Sequence, residues 1–416
     1  MLMLDCHDAM AGHINKEEYG EKLTTVRTSR VASGGTVRVN SITGVTGIGK
    51  STLVHLLLED KNVWKHFDHH IYWVSVSGWI DDKKRLASAI IEAIQKPVPQ
   101  YYEWDPLRVH LKDCIKGKKF LLILDDVCGV DNLTWDEELK PCLDAGALGS
   151  RILVTTQDRN LAAKMGSSSE DMLHLGRLSD DDSLLLLCDI ALPIRTEKQI
   201  RDRETVGREL AKGCQGVPFL IKTLGYFLRD KKIWSNVLDS GNWSWNSVEE
   251  LLISSDVYTA DLRECFKFCA SLPNDYEIDK DILIKLWMAQ GFLDRKQGDQ
   301  TEMEMKGEEY FNILVMFSFL QGYERGGGVA HDQKVIRYKF YRPLHALAQS
   351  QAGNGSVCFE NGAMLICSRK MRHLTLILRD DDVDSISPTL NQAKKLQALK
   401  FIKSSRRWNP LMIPPN

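Results

Sequence analysis

Gly44-Val45-Thr46-Gly47-Ile48-Gly49-Lys50-Ser51-Thr52 constrains this chain more than any other stretch. It meets the phosphate-binding pattern G-x-x-x-x-G-K-[ST] at every required position. The run 37–42 ahead of it alternates apolar and polar residues and is rich in β-branched types, which reads as a strand. Leu53-Val54-His55-Leu56-Leu57-Leu58 behind it reads as the first turns of a buried helix. Glycines at 44, 47 and 49 let the backbone fold around an anion, so successive N–H groups and a helix N-terminus point at phosphates. Lys50 then reaches the β- and γ-phosphates, the Ser51 hydroxyl sits on Mg²⁺, and Thr52 lies near the α-phosphate. The alternative, a glycine turn with a solvated lysine, requires neither the strand before nor the apolar helix after.

From 34 to about 177 strand-like and helix-like runs alternate. Ile71-Tyr72-Trp73-Val74-Ser75-Val76-Ser77 is a strand, and Lys83 to Ile94 has helical spacing with Leu86, Ile90 and Ile94 on one face. Phe120-Leu121-Leu122-Ile123-Leu124 and Arg151-Ile152-Leu153-Val154-Thr155-Thr156 read as strands, the first apolar throughout as in a parallel sheet buried on both faces. The pattern predicts a doubly wound parallel α/β sheet with its ligand at the carboxyl ends of the strands. There Phe120–Leu124 delivers Asp125-Asp126. Asp125 is the candidate for the Mg²⁺ water shell, and Asp126 the candidate catalytic carboxylate that orients water. A helix N-cap after the strand is the alternative reading of the pair.

Five segments follow from the changes in pattern. Residues 1–33 lack strong periodicity and are expected to be loosely ordered, with a short helix near Lys16–Leu23; 34–177 form the α/β domain. Residues 178–257 are helical, with the acidic start Asp180-Asp181-Asp182, the amphipathic run Asp202 to Cys214 and a helix opened by Pro218. In 258–350, helices precede Phe319–Gly322 and Val335–Phe340 around Gly326-Gly327-Gly328, a winged-helix arrangement. Residues 351–416 are a linker and strands whose leucine spacing in Met371–Leu376 and Leu396–Phe401 resembles the first units of a leucine-rich repeat, ending at Pro414-Pro415-Asn416.

The net charge of −2 gives no electrostatic reason to expect a nucleic-acid partner. No apolar run is long enough to span a membrane, and Asp5, His7 and Asp8 argue against a signal peptide over the first ten residues. Ten scattered cysteines without a C-x-x-C pair read as reduced, mostly buried thiols, which points to the cytoplasm or nucleus; Cys265 and Cys269 lie one helical turn apart without further zinc ligands.

The ordered blocks resemble the nucleotide-binding switch module of plant disease-resistance receptors, the NB-ARC family with leucine-rich repeats. After the phosphate loop come His66-Phe67-Asp68, Trp73-Val74-Ser75-Val76-Ser77, Gly117 to Val127, and Gly149 to Thr156. Cys214-Gln215-Gly216-Val217-Pro218-Phe219, Cys265 to Pro273, Leu286 to Leu293 and Met371-Arg372-His373-Leu374 complete the series. The stretch from Cys265 to Leu293 looks more like the coiled-coil branch than the branch with a Toll-like domain.

The resemblance implies that an α/β, a helical and a winged-helix domain close over ADP. Exchange for ATP would open the module and allow oligomerisation. It places Pro218 near the adenine and makes the winged helix a moving clamp rather than a DNA reader. It also places Thr155 and Gln157 at the sensor end of the site, and Tyr341 at the histidine of the family's Met-His-Asp motif, here Phe340-Tyr341-Arg342. His345 matches a later position. Where the family has an arginine after its paired threonines, Gln157 cannot supply the charge, so weak sensing of ATP and at most slow hydrolysis are expected. Tyr341 and Arg342 in place of His-Asp imply a weakened hold on ADP. By the same resemblance the chain is expected to be truncated at both ends.

Three functions compete on the sequence. One is a cytoplasmic ADP/ATP switch in defence signalling, with receptor or signalling proteins as partners. The second is a nucleotide-binding interaction partner or decoy without output. The third, a metabolic P-loop ATPase or kinase, needs a substrate pocket and a catalytic base beyond Asp126, and no such constellation is evident.

Overall fold

A computed structural model of the chain describes residues 37–76, 83–95, 103–128, 134–192, 204–229, 259–273, 276–293, 299–317, 319–325, 335–360, 370–378 and 394–403. The expectations for segment 1–33, Ser77, the Gly326–Gly328 turn and Pro414–Asn416 lie outside the described residues. The rest falls into two compact units, the first holding the described residues up to 229 and the second those from 259 onward.

The first unit is built on a five-stranded parallel sheet in the order β2-β3-β4-β1-β5. Its strands are β1 (Arg38–Thr43), β2 (Ile71–Ser75), β3 (Leu121–Val127), β4 (Arg151–Thr156) and β5 (Met172–His174). The two-residue side-chain period of β3 splits its apolar run between two cores. Leu122 and Leu124 face one layer with Leu86, Ile90 and Ile91 from the helix Lys83–Ile94 and Leu107 and Leu111 from the helix Trp104–Ile115. Leu121 and Ile123 face the other with Leu53, Val54, Val63 and Phe67, which belong to and follow the helices Lys50–Glu59 and Lys61–His66. Helices on both faces of a parallel sheet are the doubly wound arrangement expected from the alternating pattern.

Helices Asp180–Ala191, Glu204–Gly213 and Pro218–Phe227 complete this unit. The acidic start carries its cap: Ser179 accepts from the Asp182 amide, and three carboxylates sit in the first turn, where the helix dipole favours them. A backbone bond joins the segment after β5 to the turn before Pro218: the Leu178 N–H donates to the Gly216 carbonyl at 2.9 Å. Gly216 takes φ +66, and a Cβ there would lie 2.4 Å from the Leu178 oxygen, so only glycine fits.

In the second unit, helices Ala260–Cys269, Lys280–Ala289 and Gln300–Met316 precede the antiparallel hairpin β6 (Leu320–Arg325) and β7 (Val335–Phe340), a winged-helix order. Ile278 adds a bridge to Tyr338 on the hairpin. Phe266, Phe311, Phe319 and Trp287 are buried, and Phe266 packs on Phe319 and Phe340 with ring centroids 5.0 and 5.8 Å apart. After the helix Arg342–Ala352, β8 (Ser356–Glu360), β9 (His373–Leu378) and β10 (Ala398–Lys403) form a parallel three-stranded sheet. β8 falls in the stretch 351–370, where a linker and a strand are expected. β9 and β10 each start two residues later than the leucine-bearing runs predict.

Eight described cysteines are free thiols and six of them are buried, as read from their scatter. Cys214 is a clear case, its thiol pushed up to about 12 by burial. Cys269 donates its thiol proton to the Cys265 carbonyl one turn earlier.

Gly216→Ala combines a left-handed backbone with a clash against a carbonyl. We expect a loss of about 2–4 kcal/mol, read from chemical unfolding of the first unit; a loss under about 0.5 kcal/mol, the ordinary range for surface changes, would contradict this account of the join.

His373 is buried beside Phe268 and Phe292, its Nδ1 sharing a hydrogen bond with the Ser356 hydroxyl at 2.8 Å. Burial first, and then the Arg372 charge, push its pKa from the usual 6.5 down to about 4, against a weaker opposing pull from Glu264. The unfolded chain therefore binds the proton more readily than the fold does. This contribution is fully present above pH 6.5 and is lost as pH falls through that value toward 4. The second unit should lose up to about 3 kcal/mol across this window, and a His373→Gln variant should not show the corresponding slope. Denaturant midpoints measured at stepped pH check it.

Candidate functional site

The phosphate loop hangs between the carboxyl end of β1 and the helix Lys50–Glu59. The Gly44 N–H donates to the Thr156 carbonyl on β4 at 3.3 Å, anchoring the loop's start to the neighbouring strand. A Cβ on Gly44 would lie 2.9 Å from the Leu175 oxygen, and its φ of +153 is one that side chains disfavour. Gly49, in the left-handed conformation, opens the helix, and no side chain caps that helix start. Its first N–H groups therefore form the cradle expected for an anion.

Lys50 is buried, and its Nζ donates to the Gly44 and Val45 carbonyls at 2.9 and 3.1 Å. The ammonium thus lies along the inside of its own loop. Burial pulls its pKa down, while the Asp126 and Asp125 charges push it back up. A phosphate would reinforce those two carboxylates in holding the charged form.

The carboxylates sit where β3 leaves the sheet. Asp125 Oδ1 accepts the Ser51 hydroxyl at 2.8 Å and the Thr155 hydroxyl at 2.6 Å. The Asp126 N–H donates to Thr155 Oγ1 at 2.8 Å, and Asp126 adopts φ +57. Ser51 from the loop, Asp125 from β3 and Thr155 from β4 are thereby brought together. The oxygens of Ser51 and Asp125 are the hard donors that Mg²⁺ takes, so they fit that ion. Among the described residues no group of three or more His, Cys, Asp or Glu could hold a metal alone.

Thr52 is half-buried on the helix behind Ser51, and Gln157 is exposed just past β4. Pro218 is buried at the start of its helix, whose Phe219 N–H donates to the Gly47 carbonyl at 3.2 Å. The helical part thus touches the phosphate loop directly. Tyr341 lies in the second unit at the N-cap of Arg342–Ala352, where its carbonyl accepts the Leu344 and His345 amides. His345 is buried, and its Nε2 shares a hydrogen bond with the Leu272 carbonyl at 2.8 Å, a structural partner within its own unit.

Sequence reasoning placed Thr155 at the site but missed how it acts. It also missed the left-handed Asp126 and the Phe219–Gly47 bond. Paired hydroxyl residues at the end of a buried strand, facing a paired-acid strand end, are the signal that could have exposed the first of these.

Residues 24–197 match the NB-ARC domain, and residues 272–348 match the disease resistance protein winged helix domain. The chain is 34% identical over 399 residues to disease resistance protein RGA4 of Solanum bulbocastanum, covering 94% of this chain and 38% of that protein. It is 32% identical over 344 residues to disease resistance protein RGA2 of the same species, covering 80% and 34%. With the disease resistance RPP13-like protein 1 of Arabidopsis thaliana it shares 30% identity over 387 residues, covering 91% and 34%. The chain therefore spans between a third and two fifths of the length of these relatives. Among the described residues no helix is long and apolar enough to cross a membrane. With a phosphate loop, paired acids and a winged helix in this order, the chain belongs to the NB-ARC disease resistance proteins of plants.

Proposed function

We propose that this chain is an ADP/ATP-binding switch acting in plant defence signalling, in the cytoplasm. The observation that carries the reading is the joint engagement of the phosphate loop. Lys50, Ser51, Asp125 and Thr155 converge on its inner side, while Phe219 of the helical part bonds its backbone at Gly47. A phosphate-bearing ligand that repositions the loop would therefore move the start of the helix Pro218–Phe227 as well. That contact is where occupancy of the site becomes a change of shape. Pro218, buried at that helix start, forms part of the wall for the base.

In this mechanism the loop amides and the Lys50 ammonium bind the β-phosphate, and Lys50 gives up its loop carbonyls to do so. Ser51 and Asp125 would hold Mg²⁺, which neutralises phosphate charge when bound. Asp126 orients water, and Thr155 fixes both acids. Gln157 contributes a neutral amide, which limits discrimination of a γ-phosphate. Tyr341 carries a hydroxyl rather than a cation at the position of the family's histidine, and a weakened hold on ADP follows from that substitution. We assign the nucleotide domain to 34–177, the helical domain to 178–257, the winged helix to 258–350 and the beginning of a leucine-rich repeat to 351–416. Signalling proteins, and further copies of the chain in the ATP state, are the partners that follow from this reading. Gln157 also favours a second reading, a nucleotide-binding decoy whose output is lost.

ADP should bind the chain in the presence of Mg²⁺, and Lys50→Ala should weaken that binding by about 2–5 kcal/mol, through loss of a desolvated charge-assisted contact. Equal calorimetric affinities for wild type and variant would remove the assignment. Turnover of ATP should stay far below the typical enzyme value of about 10 s⁻¹. Gln157→Arg should tighten ATP relative to ADP, as read from competition with a fluorescent nucleotide, if the missing charge is what limits sensing.

A further inference from the structure

We propose that Thr155 is a positioning residue for the cation site, fixing Asp125 and Asp126 through a single hydroxyl; this rests on the nucleotide-switch reading above. The evidence begins with register. β3 and β4 pair regularly from Leu121↔Arg151 to Leu124↔Val154, and then Val127 pairs with Thr156. Three steps along β3 match two along β4, so one extra residue bulges out where the acids lie. On its other side β3 stays in step: Ser75 pairs with Asp125, and the Val76 N–H donates to the Asp125 carbonyl at 2.8 Å. The irregularity is confined to the edge facing Thr155.

In a regular strand Asp125 and Asp126 would point to opposite faces. The bulge breaks that alternation and puts Asp126 in the left-handed region, φ +57. It also withdraws the Asp126 N–H from the backbone ladder. Thr155 Oγ1 accepts a hydrogen bond from that N–H at 2.8 Å and its O–H donates to Asp125 Oδ1 at 2.6 Å. Donor and acceptor capacity of the one hydroxyl are both used. Asp125 Oδ1 also accepts the Ser51 O–H at 2.8 Å, so the bulge is tied to the start of the phosphate-loop helix. Thr155 is fully buried, which leaves no room for bulk water to replace the hydroxyl after its removal. The chain of bonds runs Asp126 N–H, Thr155, Asp125, Ser51, and it ends on the two oxygens suited to Mg²⁺.

Calorimetric titration of the full chain with ADP, in Mg²⁺ and in EDTA, tests this with Thr155→Val and Thr155→Ser. Valine keeps the shape and removes the hydroxyl; serine keeps the hydroxyl. The Thr155→Val variant should lose about tenfold in affinity with Mg²⁺ and no more than about twofold in EDTA, the loss expected for a hydrogen bond to a charged group acting only through the cation. Thr155→Ser should restore most of the Mg²⁺ effect. Equal losses with and without Mg²⁺ would mark Thr155 as merely structural and overturn the proposal, as would an unchanged Mg²⁺ response. Where Thr155→Val fails to fold, amide hydrogen exchange of the wild type decides: a protected Asp126 N–H supports the bond to Thr155, and free exchange overturns it. Absence of ADP binding by the wild type in either condition removes the switch reading itself. Wild-type binding with a normal Mg²⁺ response in Thr155→Val removes only the role of Thr155.

Discussion

One carboxylate oxygen, Asp125 Oδ1, joins three separately placed pieces of the fold. It accepts hydrogen bonds from Ser51 on the phosphate-loop helix and from Thr155 on β4, while the Asp125 backbone stays paired with β2. Magnitudes show why the arrangement persists. A left-handed backbone costs a non-glycine residue such as Asp126 about 1–2 kcal/mol. Hydrogen bonds to a charged group are worth about 1.5–3 kcal/mol each, somewhat less where the carboxylate is only half-buried, as here. Two such bonds exceed the strain, so the bulge is a stable part of the sheet. The strain is located at the acids, where it sets their direction, and not in the core beneath.

Much of the sheet was legible because its signals are periodic and local. The apolar run of β3 is read correctly as buried on both faces, since Leu122 and Leu124 enter one core and Leu121 and Ile123 the other. The phosphate loop was legible because its glycines and lysine follow from the geometry of holding an anion. The bulge was not, because Asp125-Asp126 in sequence looks the same whether the strand stops, caps a helix or gains a residue. Only the pairing with β4 distinguishes these. Gly216 could be read as the end of a helix, but not as the sole residue that fits against the Leu178 carbonyl.

Burial of titratable groups follows the same logic in the second unit. Lys400 on β10 donates to the Tyr276 hydroxyl at 2.9 Å and lies over its ring, 4.0 Å from the centroid. Burial takes its pKa down to about 8, against a smaller upward push from Cys358. His373 on β9 is held neutral by a similar environment. Two basic groups are thus largely desolvated on neighbouring strands of one small parallel sheet. Each has an aromatic and a hydroxyl neighbour, Tyr276 for Lys400 and Phe268 with Ser356 for His373. Contacts of this kind fix where the two groups sit, while burial disfavours their charged forms.

The contrast between Thr155 and Gln157 shows which parts of the site the fold constrains. Thr155 is fully buried and spends its hydroxyl on two bonds, so its identity is fixed by the sheet as much as by any ligand. Gln157, two residues on, is exposed, and the turn around it is held by the Asp158 N–H donating to Thr156 Oγ1 at 3.2 Å. That bond does not involve the side chain at 157. An amide in place of a charged residue there therefore costs the fold little. If Thr155 positions the cation and position 157 senses the γ-phosphate, as proposed, the first half of the site is bound into the sheet and the second is not. On that reading a chain can keep its nucleotide-binding architecture while its response to the third phosphate drifts.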